Sequence, residues 1–215
     1  MITVALVDDH DLVRSGVRSM LAGQDDIEVV GEAGSGEEVV DLLRRQAVDV
    51  VLMDLDMPGI GGLEATRKLL RIQPDVKIVI VTAFIEDPLP RRLLDAGAFG
   101  YLTKQCGVDE LVLAIHRVHG NKRYLCADVA QQLALANTGD RGETPLDGLS
   151  QRELQVLMMV GKGLKNKEIS DQLCLSPKTI STYLHRLYSK LSAHSDVDLA
   201  QLVARYGLVD AADLA

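Results

Sequence analysis

The residues whose types and spacing could do chemistry are acidic and basic side chains scattered over the first half of the chain. They are the pair Asp8-Asp9, then Asp54, then Lys104, and each follows a short run of β-favouring apolar residues. The runs are ITVALV (2–7), VDVVLM (48–53) and FGYLT (99–103). Parallel strands end at one edge of a sheet, where ligands bind in open α/β folds, so these side chains are predicted to meet there. Clustered carboxylates repel one another unless a cation joins them, and hard oxygen ligands suit Mg²⁺. The pattern indicates an aspartate that accepts a phosphoryl group.

An alternation of strand and helix patterns over residues 1–120 predicts the scaffold that positions this site. Strands are predicted near 2–8, 27–33, 48–54, 76–82 and 99–103. Helices are predicted at 11–22, 35–46, 61–73, 90–97 and 108–119. Five βα repeats imply a doubly wound, five-stranded parallel sheet with helices on both faces. An amphipathic segment (127–136) then leads into NTGDRGETPLDG (137–148), whose composition and lack of periodicity are typical of a flexible linker.

A second, all-helical domain begins after this linker. Ser150 and Glu153 have the spacing of a capping box, and Leu149 and Leu154 occupy the hydrophobic-staple positions. Helices are predicted at 150–161, 166–173, 176–191 and 195–205. In the third of these, one face is apolar, and the opposite face carries polar and basic side chains that could enter a major groove. The apolar residues are Ile180, Leu184, Leu187 and Leu191, and the polar ones are Lys178, Thr182, His185 and Ser189, flanked by Ser181 and Arg186.

The distribution of charge supports two modules with different tasks. The 215 residues carry a net charge of −8. Residues 1–149 have 15 Lys and Arg against 24 Asp and Glu, whereas residues 150–215 have 8 against 7. Residues 162–190 include six basic residues and two acidic ones. A basic stripe in an otherwise acidic chain predicts a surface that contacts phosphate groups.

Three features of the sequence predict a protein of the cytosol: its start, the length of its apolar runs and its cysteines. It begins directly with a strand pattern rather than a secretory signal, and no apolar run approaches the ~20 residues that span a bilayer. We therefore expect a cytoplasmic protein without a membrane partner. The cysteines (Cys106, Cys126 and Cys174) are odd in number and widely spaced, which predicts reduced thiols rather than a disulfide framework or a zinc site.

The first half resembles the receiver domain of two-component response regulators, which has the flavodoxin-like fold. The resemblance rests on VDD (7–9), MDLDMPGIGG (53–62), VTA (81–83) and GYLTK (100–104). It implies that Asp54 accepts a phosphoryl group from a sensor histidine kinase or its phosphotransfer domain. It also implies that Asp9, Asp54 and the main-chain carbonyl of Asp56 bind Mg²⁺, with Asp8 acting through water. The same resemblance assigns Lys104 to the phosphoryl oxygens, Thr82 to a phosphate oxygen and Tyr101 to a change of rotamer in the active state.

The second half resembles the LuxR-type helix-turn-helix of NarL/FixJ regulators, through LSQRELQVL (149–157), GKGLKNKEIS (161–170) and LSPKTISTYLHRLYSKL (175–191). The implied domains are a receiver (1–120), a helix and linker (121–148) and a DNA-binding domain (149–215). The resemblance implies a transcription factor, not an enzyme, whose receiver assists its own phosphotransfer and dephosphorylation. Its partners would be double-stranded DNA and a second copy of the chain when phosphorylated or DNA-bound. The residues predicted to contact DNA are Lys165, Asn166, Lys167, Lys178, Thr179, Ser181, Thr182, His185, Arg186 and Lys190.

Within this class, VTAFIEDPLPRRLLDAGAFGYLTK (81–104), CLSPKTISTYLHRLYSKL (174–191) and SDVDLAQLVARYGLVDA (195–211) are most similar to global activators of the GacA/UvrY type. The sequence leaves two other functions open. Some receivers carry helical RNA-binding antiterminator domains, and the Asp54-Leu-Asp56 pair is shared with haloacid-dehalogenase phosphatases.

GEAGSGEE (31–38) lacks the residues of a nucleotide loop and predicts a turn with Ser35 capping a helix. Lys104 is followed by Gln105, where many receivers have proline.

Overall fold

The computed structural model describes residues 1–83, 89–137, 144–173, 175–206 and 208. These residues form two compact units, the first containing residues 1–83 and 90–131 and the second containing Leu89 and the residues from 132 onwards. Half of the predicted linker (138–143), Cys174 and the last residues of the predicted DNA-binding domain lie outside the described residues. The domain limits inferred from the sequence stay a prediction.

The first unit is built on a parallel sheet. Its strands are β1 (Ile2–Val7), β2 (Ile27–Ala33), β3 (Val50–Met53), β4 (Lys77–Thr82), β5 (Gly100–Thr103) and β6 (Tyr124–Leu125). All neighbouring pairs run parallel, in the order β2-β1-β3-β4-β5-β6. This is the flavodoxin-like order, in which β1 and β3 flank the switch point where ligands bind. The doubly wound fold is confirmed, with one strand more than the five expected.

The sixth strand was missed because it is only two residues long, too short to show an alternating pattern. Tyr124 and Leu125 pair with Gly100 and Tyr101 of β5. The N–H of Cys126 continues the ladder by donating to the Tyr101 carbonyl. The edge of the sheet therefore extends one strand beyond the receiver segment that the sequence predicts.

The helices within residues 1–137 are α1 (Asp11–Leu21), α2 (Gly36–Arg45), α3 (Gly61–Ile72), α4 (Leu89–Asp95), α5 (Val108–His119) and α6 (Ala127–Asn137). Helices α1, α2 and α5 pack against the strands, and each buries apolar residues. The four residues of β3 are all buried, as expected for a central strand covered on both faces. Ser35 caps α2 as predicted, since its hydroxyl accepts the Glu38 N–H.

The second unit is the predicted four-helix domain. Its helices are α7 (Gln151–Gly161), α8 (Asn166–Gln172), α9 (Pro177–Leu191) and α10 (Asp196–Arg205). The capping box of Ser150 and Glu153 is present, and Ser176 caps α9 with Pro177 in its first turn. Leu149 and Leu154 are both buried, which agrees with a hydrophobic staple.

The described end of the predicted linker is more ordered than its composition indicates. The N–H and hydroxyl of Thr144 both donate to the Asp147 carboxylate, at 2.7 and 3.0 Å. The side chain of Leu146 is fully buried. Residues 144–148 therefore form a turn packed by an apolar side chain.

Candidate functional site

Two carboxylates and an ammonium group meet at the carboxyl edge of the sheet, as the strand pattern predicts, and the Asp9 carboxylate lies within 4.8 Å of that of Asp8. Asp8 follows β1 and Asp54 follows β3, and these strands pair directly. Lys104 Nζ lies 2.7 Å from Asp8 Oδ2 and 3.0 Å from Asp54 Oδ2. The side chain of Asp54 is only 3% exposed, whereas that of Lys104 is 26% exposed. Lys104 therefore closes the site and remains reachable from solvent.

The electrostatics of the site show an excess of negative charge. Burial raises the pKa of Asp54 to about 6; Lys104 opposes this shift and Asp8 adds to it. Burial also raises the pKa of Asp9, partly offset by His10 and reinforced by Asp8 and Asp56. The pKa of Lys104 is raised because both carboxylates outweigh the effect of its burial. A cluster of hard oxygen donors with this surplus of charge fits a divalent cation such as Mg²⁺.

Thr82 and Tyr101, the residues predicted to change on phosphorylation, belong to the neighbouring strands β4 and β5. Thr82 ends β4, and its carbonyl accepts the N–H of Lys104 at 3.0 Å, which ties the two strand ends together. The side chains of Thr82 and Tyr101 are fully buried. Burial raises the pKa of Tyr101 well above its usual range, so its hydroxyl keeps its proton at neutral pH. The structure thus places Tyr101 inward.

Helix α3 approaches the backbone of Asp54 so closely that position 62 must be glycine. A Cβ added at Gly62 would lie 2.5 Å from the main-chain oxygen of Asp54, shorter than a van der Waals contact allows. The Gly62 N–H donates to the Leu55 carbonyl at 3.3 Å. The segment after β3 is therefore fixed against the start of α3.

In the second unit, the residues predicted to contact DNA fall into two groups. The first group has exposed cationic or imidazole side chains: Lys165, Lys167, Lys178, His185 and Arg186. The second group makes polar contacts within the domain: Asn166, Thr179, Ser181, Thr182 and Lys190. Ile180, Leu187 and Leu191 are buried, and Leu184 is half-buried, so the predicted apolar face of α9 packs into the domain.

Lys190 is the member of the second group with the strongest partner. Its Nζ lies 2.7 Å from Glu153 Oε2 and donates to the Gly148 carbonyl at 3.0 Å. Asn166 Nδ2 donates to the Ser181 hydroxyl at 3.0 Å, linking α8 to α9. These contacts give Lys190, Asn166 and Ser181 structural roles that the helical pattern did not predict.

Comparison with known families assigns both units. Residues 4–116 match the response regulator receiver domain family, and residues 147–203 match the bacterial regulatory proteins of the luxR family. Response regulator GacA of Pseudomonas aeruginosa is 54% identical over 213 residues, which is 99% of this chain and 100% of that protein. The chain belongs to the LuxR-type (NarL/FixJ) response regulators.

This response regulator is also 52% identical to response regulator UvrY of Escherichia coli K12, over all of this chain and 99% of UvrY. The GacA/UvrY type predicted from the sequence is confirmed. Among solved structures it is similar to Salmonella typhimurium RcsB (TM-score 0.61, 26% identity, 95% of this chain and 98% of that one). It is also similar to RcsB in a DNA complex (TM-score 0.59, 26% identity, 94% and 98%). It is thus a transcription regulator with a receiver and a LuxR-type DNA-binding domain.

Two residues beside the acidic site of this response regulator were not predicted. His10 Nδ1 lies 2.8 Å from Asp9 Oδ1 and 3.2 Å from Asp8 Oδ1. Arg14 donates to the main-chain oxygen of Asp8. The Asp-Asp-His-Asp sequence offered a signal for His10, since adjacent residues share a loop. The sequence contained no signal for Arg14, because a basic residue on a helix is most often an exposed one without a specific role.

Cys106 and Cys126 carry free thiols, as predicted, and Cys174 is outside the described residues. No helix within residues 1–83, 89–137, 144–173 and 175–206 is both long and apolar enough to cross a membrane.

Proposed function

We propose that Asp54 accepts the phosphoryl group in this response regulator, from a histidine kinase or its phosphotransfer domain. The observation that carries the proposal is the burial of Asp54 at a strand end with Lys104 Nζ 3.0 Å from its carboxylate. Such a carboxylate is shielded from bulk water, and the Lys104 ammonium beside it is partly exposed. Both features suit an oxygen nucleophile that forms an acyl phosphate.

In the proposed step, a carboxylate oxygen of Asp54 forms a bond to phosphorus, and the bond from phosphorus to the donor's imidazole nitrogen breaks. The nitrogen leaves with its electron pair. The Lys104 ammonium, now shared by Asp8 and Asp54, is placed to bind an oxygen of the phosphoryl group as a point charge. The Thr82 hydroxyl is proposed to bind a second oxygen.

The acidic side chains are proposed to hold Mg²⁺, with Asp9, Asp54 and the Asp56 carbonyl as direct ligands and Asp8 acting through water. When bound, the cation would neutralise the oxygens of the transferring group. Burial is the main cause of the raised pKa of Asp54 and of Asp9, and the neighbouring Asp8 carboxylate adds to both shifts. A bound cation would favour the ionised carboxylates, which supports the assignment. The phosphatase alternative is not supported, because the Asp54-Leu-Asp56 pair lies within residues 4–116, which match the receiver domain family.

We further propose that α9 reads DNA and that the active protein binds as a dimer. The exposed Lys178, His185 and Arg186 of α9 are suited to a major groove, and Lys165 and Lys167 are suited to phosphate groups. The related RcsB has been described as two dimers bound to two parallel DNAs. An RNA target is less well supported, because the second unit matches the luxR family over residues 147–203.

The acceptor assignment is tested by intact mass after treatment with a small acyl-phosphate donor. We expect one phosphoryl group on the wild type in the presence of Mg²⁺, and none when a chelator is present. Asp54→Asn should remove the added mass, whereas the matched variant Asp56→Asn should retain it because only its carbonyl is proposed as a ligand. Phosphate uptake by Asp54→Asn equal to that of the wild type would contradict the proposal.

A further inference from the structure

The guanidinium of Arg14 connects three parts of the receiver next to the acidic site. Its Nη1 donates to the main-chain oxygen of Asp8 at 2.5 Å, and its Nη2 pairs with the Asp11 carboxylate. Its Nε lies 3.3 Å from Glu32 Oε2 at the end of β2. The side chain is only 15% exposed, so these contacts replace most of its contact with water.

The oxygen that Arg14 binds belongs to the peptide between Asp8 and Asp9. Asp8 lies where β1 leaves the sheet, and its N–H donates to the Ala33 carbonyl at 3.2 Å. Its carbonyl, in contrast, points to Arg14 on α1. Holding this carbonyl fixes the plane of the Asp8–Asp9 peptide, and therefore the directions in which the two carboxylates project. A charged donor makes such a hydrogen bond stronger than a neutral one.

Glu32 in turn holds Arg14 in place, and it also binds a second arginine on the same helix. Arg18 Nη2 pairs with Glu32 Oε1, while Arg14 Nε approaches Glu32 Oε2. The side chain of Arg18 is 56% exposed. The two arginines are four residues apart and share a carboxylate, but Arg14 is the one that donates to the Asp8 main-chain oxygen. Arg18 is therefore a natural control.

We propose that Arg14 is a positioning residue for the cation and phosphoryl site, acting through the Asp8–Asp9 peptide. This inference rests on the proposed function. Without Arg14, the peptide gains rotational freedom, and the carboxylates must be ordered when the cation binds. Cation affinity should therefore fall, whereas the reaction in the fully loaded site should be nearly unchanged.

The experiment uses the full chain and two measurements, the Mg²⁺ dissociation constant by calorimetric titration and the rate of phosphate uptake as a function of Mg²⁺. For Arg14→Met we expect a rise of about tenfold in the dissociation constant and in the half-saturating Mg²⁺ concentration. The rate at saturating Mg²⁺ should stay within about twofold of the wild type. Arg14→Lys should recover part of the affinity, and Arg18→Met should match the wild type.

Wild-type Mg²⁺ affinity in Arg14→Met, or an equal loss in Arg18→Met, would overturn the proposal. If Arg14→Met does not fold, Arg14→Lys and Glu32→Gln decide: weaker Mg²⁺ binding in both supports the positioning role, and unchanged binding in either refutes it. A wild type that binds Mg²⁺ but takes up no phosphate would contradict the proposed function alone. The Mg²⁺ titrations would still test the positioning role proposed for Arg14.

Discussion

Asp54 lies beside Asp8 with the Lys104 ammonium between them, and burial raises its pKa to about 6. An aspartate in an unfolded chain has a pKa of ~4. The folded protein thus binds this proton more tightly than the unfolded chain does. The contribution of Asp54 to stability is fully present below about pH 4 and is lost as the pH rises through 6, a difference of roughly 3 kcal/mol.

Asp54→Asn should therefore raise the free energy of unfolding at pH 7 to 8 when divalent cations are removed. The expected gain over the wild type is up to about 3 kcal/mol, and it should disappear near pH 4. Urea unfolding in a chelating buffer, repeated across this range, measures the difference. Asp41→Asn, on an exposed part of α2, is the control and should show little change. A gain that is as large at pH 4 as at pH 8 would disagree with the raised pKa.

Lys178 tests the role of single side chains on α9. Its side chain is exposed near the start of the helix, so Lys178→Ala should weaken DNA binding without unfolding the domain. If Lys178 contacts a phosphate group, the salt slope should fall by about one unit on any DNA. If it reads a base, discrimination between sequences should change by ~1–3 kcal/mol. Lys122→Ala removes the same charge from the first unit, and this variant should bind DNA as the wild type does. A wild-type salt slope and wild-type specificity in Lys178→Ala would exclude a contact between Lys178 and DNA.

Helices α7 and α9 are joined by an ion pair whose carboxylate, that of Glu153, is buried and whose ammonium group, that of Lys190, is exposed. Glu153 is 2% exposed, and its carboxylate accepts a hydrogen bond from Lys190 Nζ at 2.7 Å. Burial opposes the ionisation of Glu153, but hydrogen bonds from Lys190 and Ser150 outweigh it and lower its pKa. This contribution to stability is present above the unfolded pKa of ~4.3 and is lost as the pH falls through the lower, folded pKa.

Lys190→Met should accordingly destabilise the second unit at pH 7, because it leaves the buried Glu153 carboxylate without its main donor. A loss of ~1–3 kcal/mol is expected, and the double variant Glu153→Gln with Lys190→Met should lose less than the sum of the two single changes. Chemical unfolding followed by circular dichroism measures both. Lys167→Met on α8 is the control; the ion pair would have no stabilising role if both lysine variants unfolded alike.

The elements themselves were accessible from sequence, whereas contacts between their long side chains were not. Every predicted strand and helix ends within two residues of its observed limits, because apolar periodicity and Ser caps act locally. The meeting of Asp8, Asp54 and Lys104 followed from parallel strand ends. The pairing of Lys190 with Glu153, of Arg14 with the Asp8 carbonyl, and the burial of Leu146 depend on tertiary packing that no local pattern encodes.

For the molecule as a whole, the proposed acceptor and the proposed DNA-reading helix belong to different compact units. Phosphorylation can therefore change DNA affinity only by favouring one population of conformations or assemblies over another. Thr82, fully buried at the end of β4, is the residue expected to transmit this change because its hydroxyl would bind the phosphoryl group. Couplings of this kind are typically worth about 5–150-fold in affinity.

Thr82→Ala should take up phosphate at Asp54 but lose most of the gain in DNA affinity. The test pairs the mass of the protein with its DNA affinity at fixed salt, before and after phosphorylation. Thr82→Ser keeps the hydroxyl and should keep the gain. Equal gains in the wild type and Thr82→Ala would remove Thr82 from the switch.

The contact between position 62 and the Asp54 backbone also limits how the receiver can vary. A Cβ at Gly62 would lie 2.5 Å from the Asp54 main-chain oxygen, so even the smallest side chain must push α3 away from the residue proposed to be phosphorylated. In a library that samples every amino acid at each position, position 62 should tolerate substitution as poorly as Asp54 itself. A residue without any functional group would then share the mutational constraint of the residue that does the chemistry.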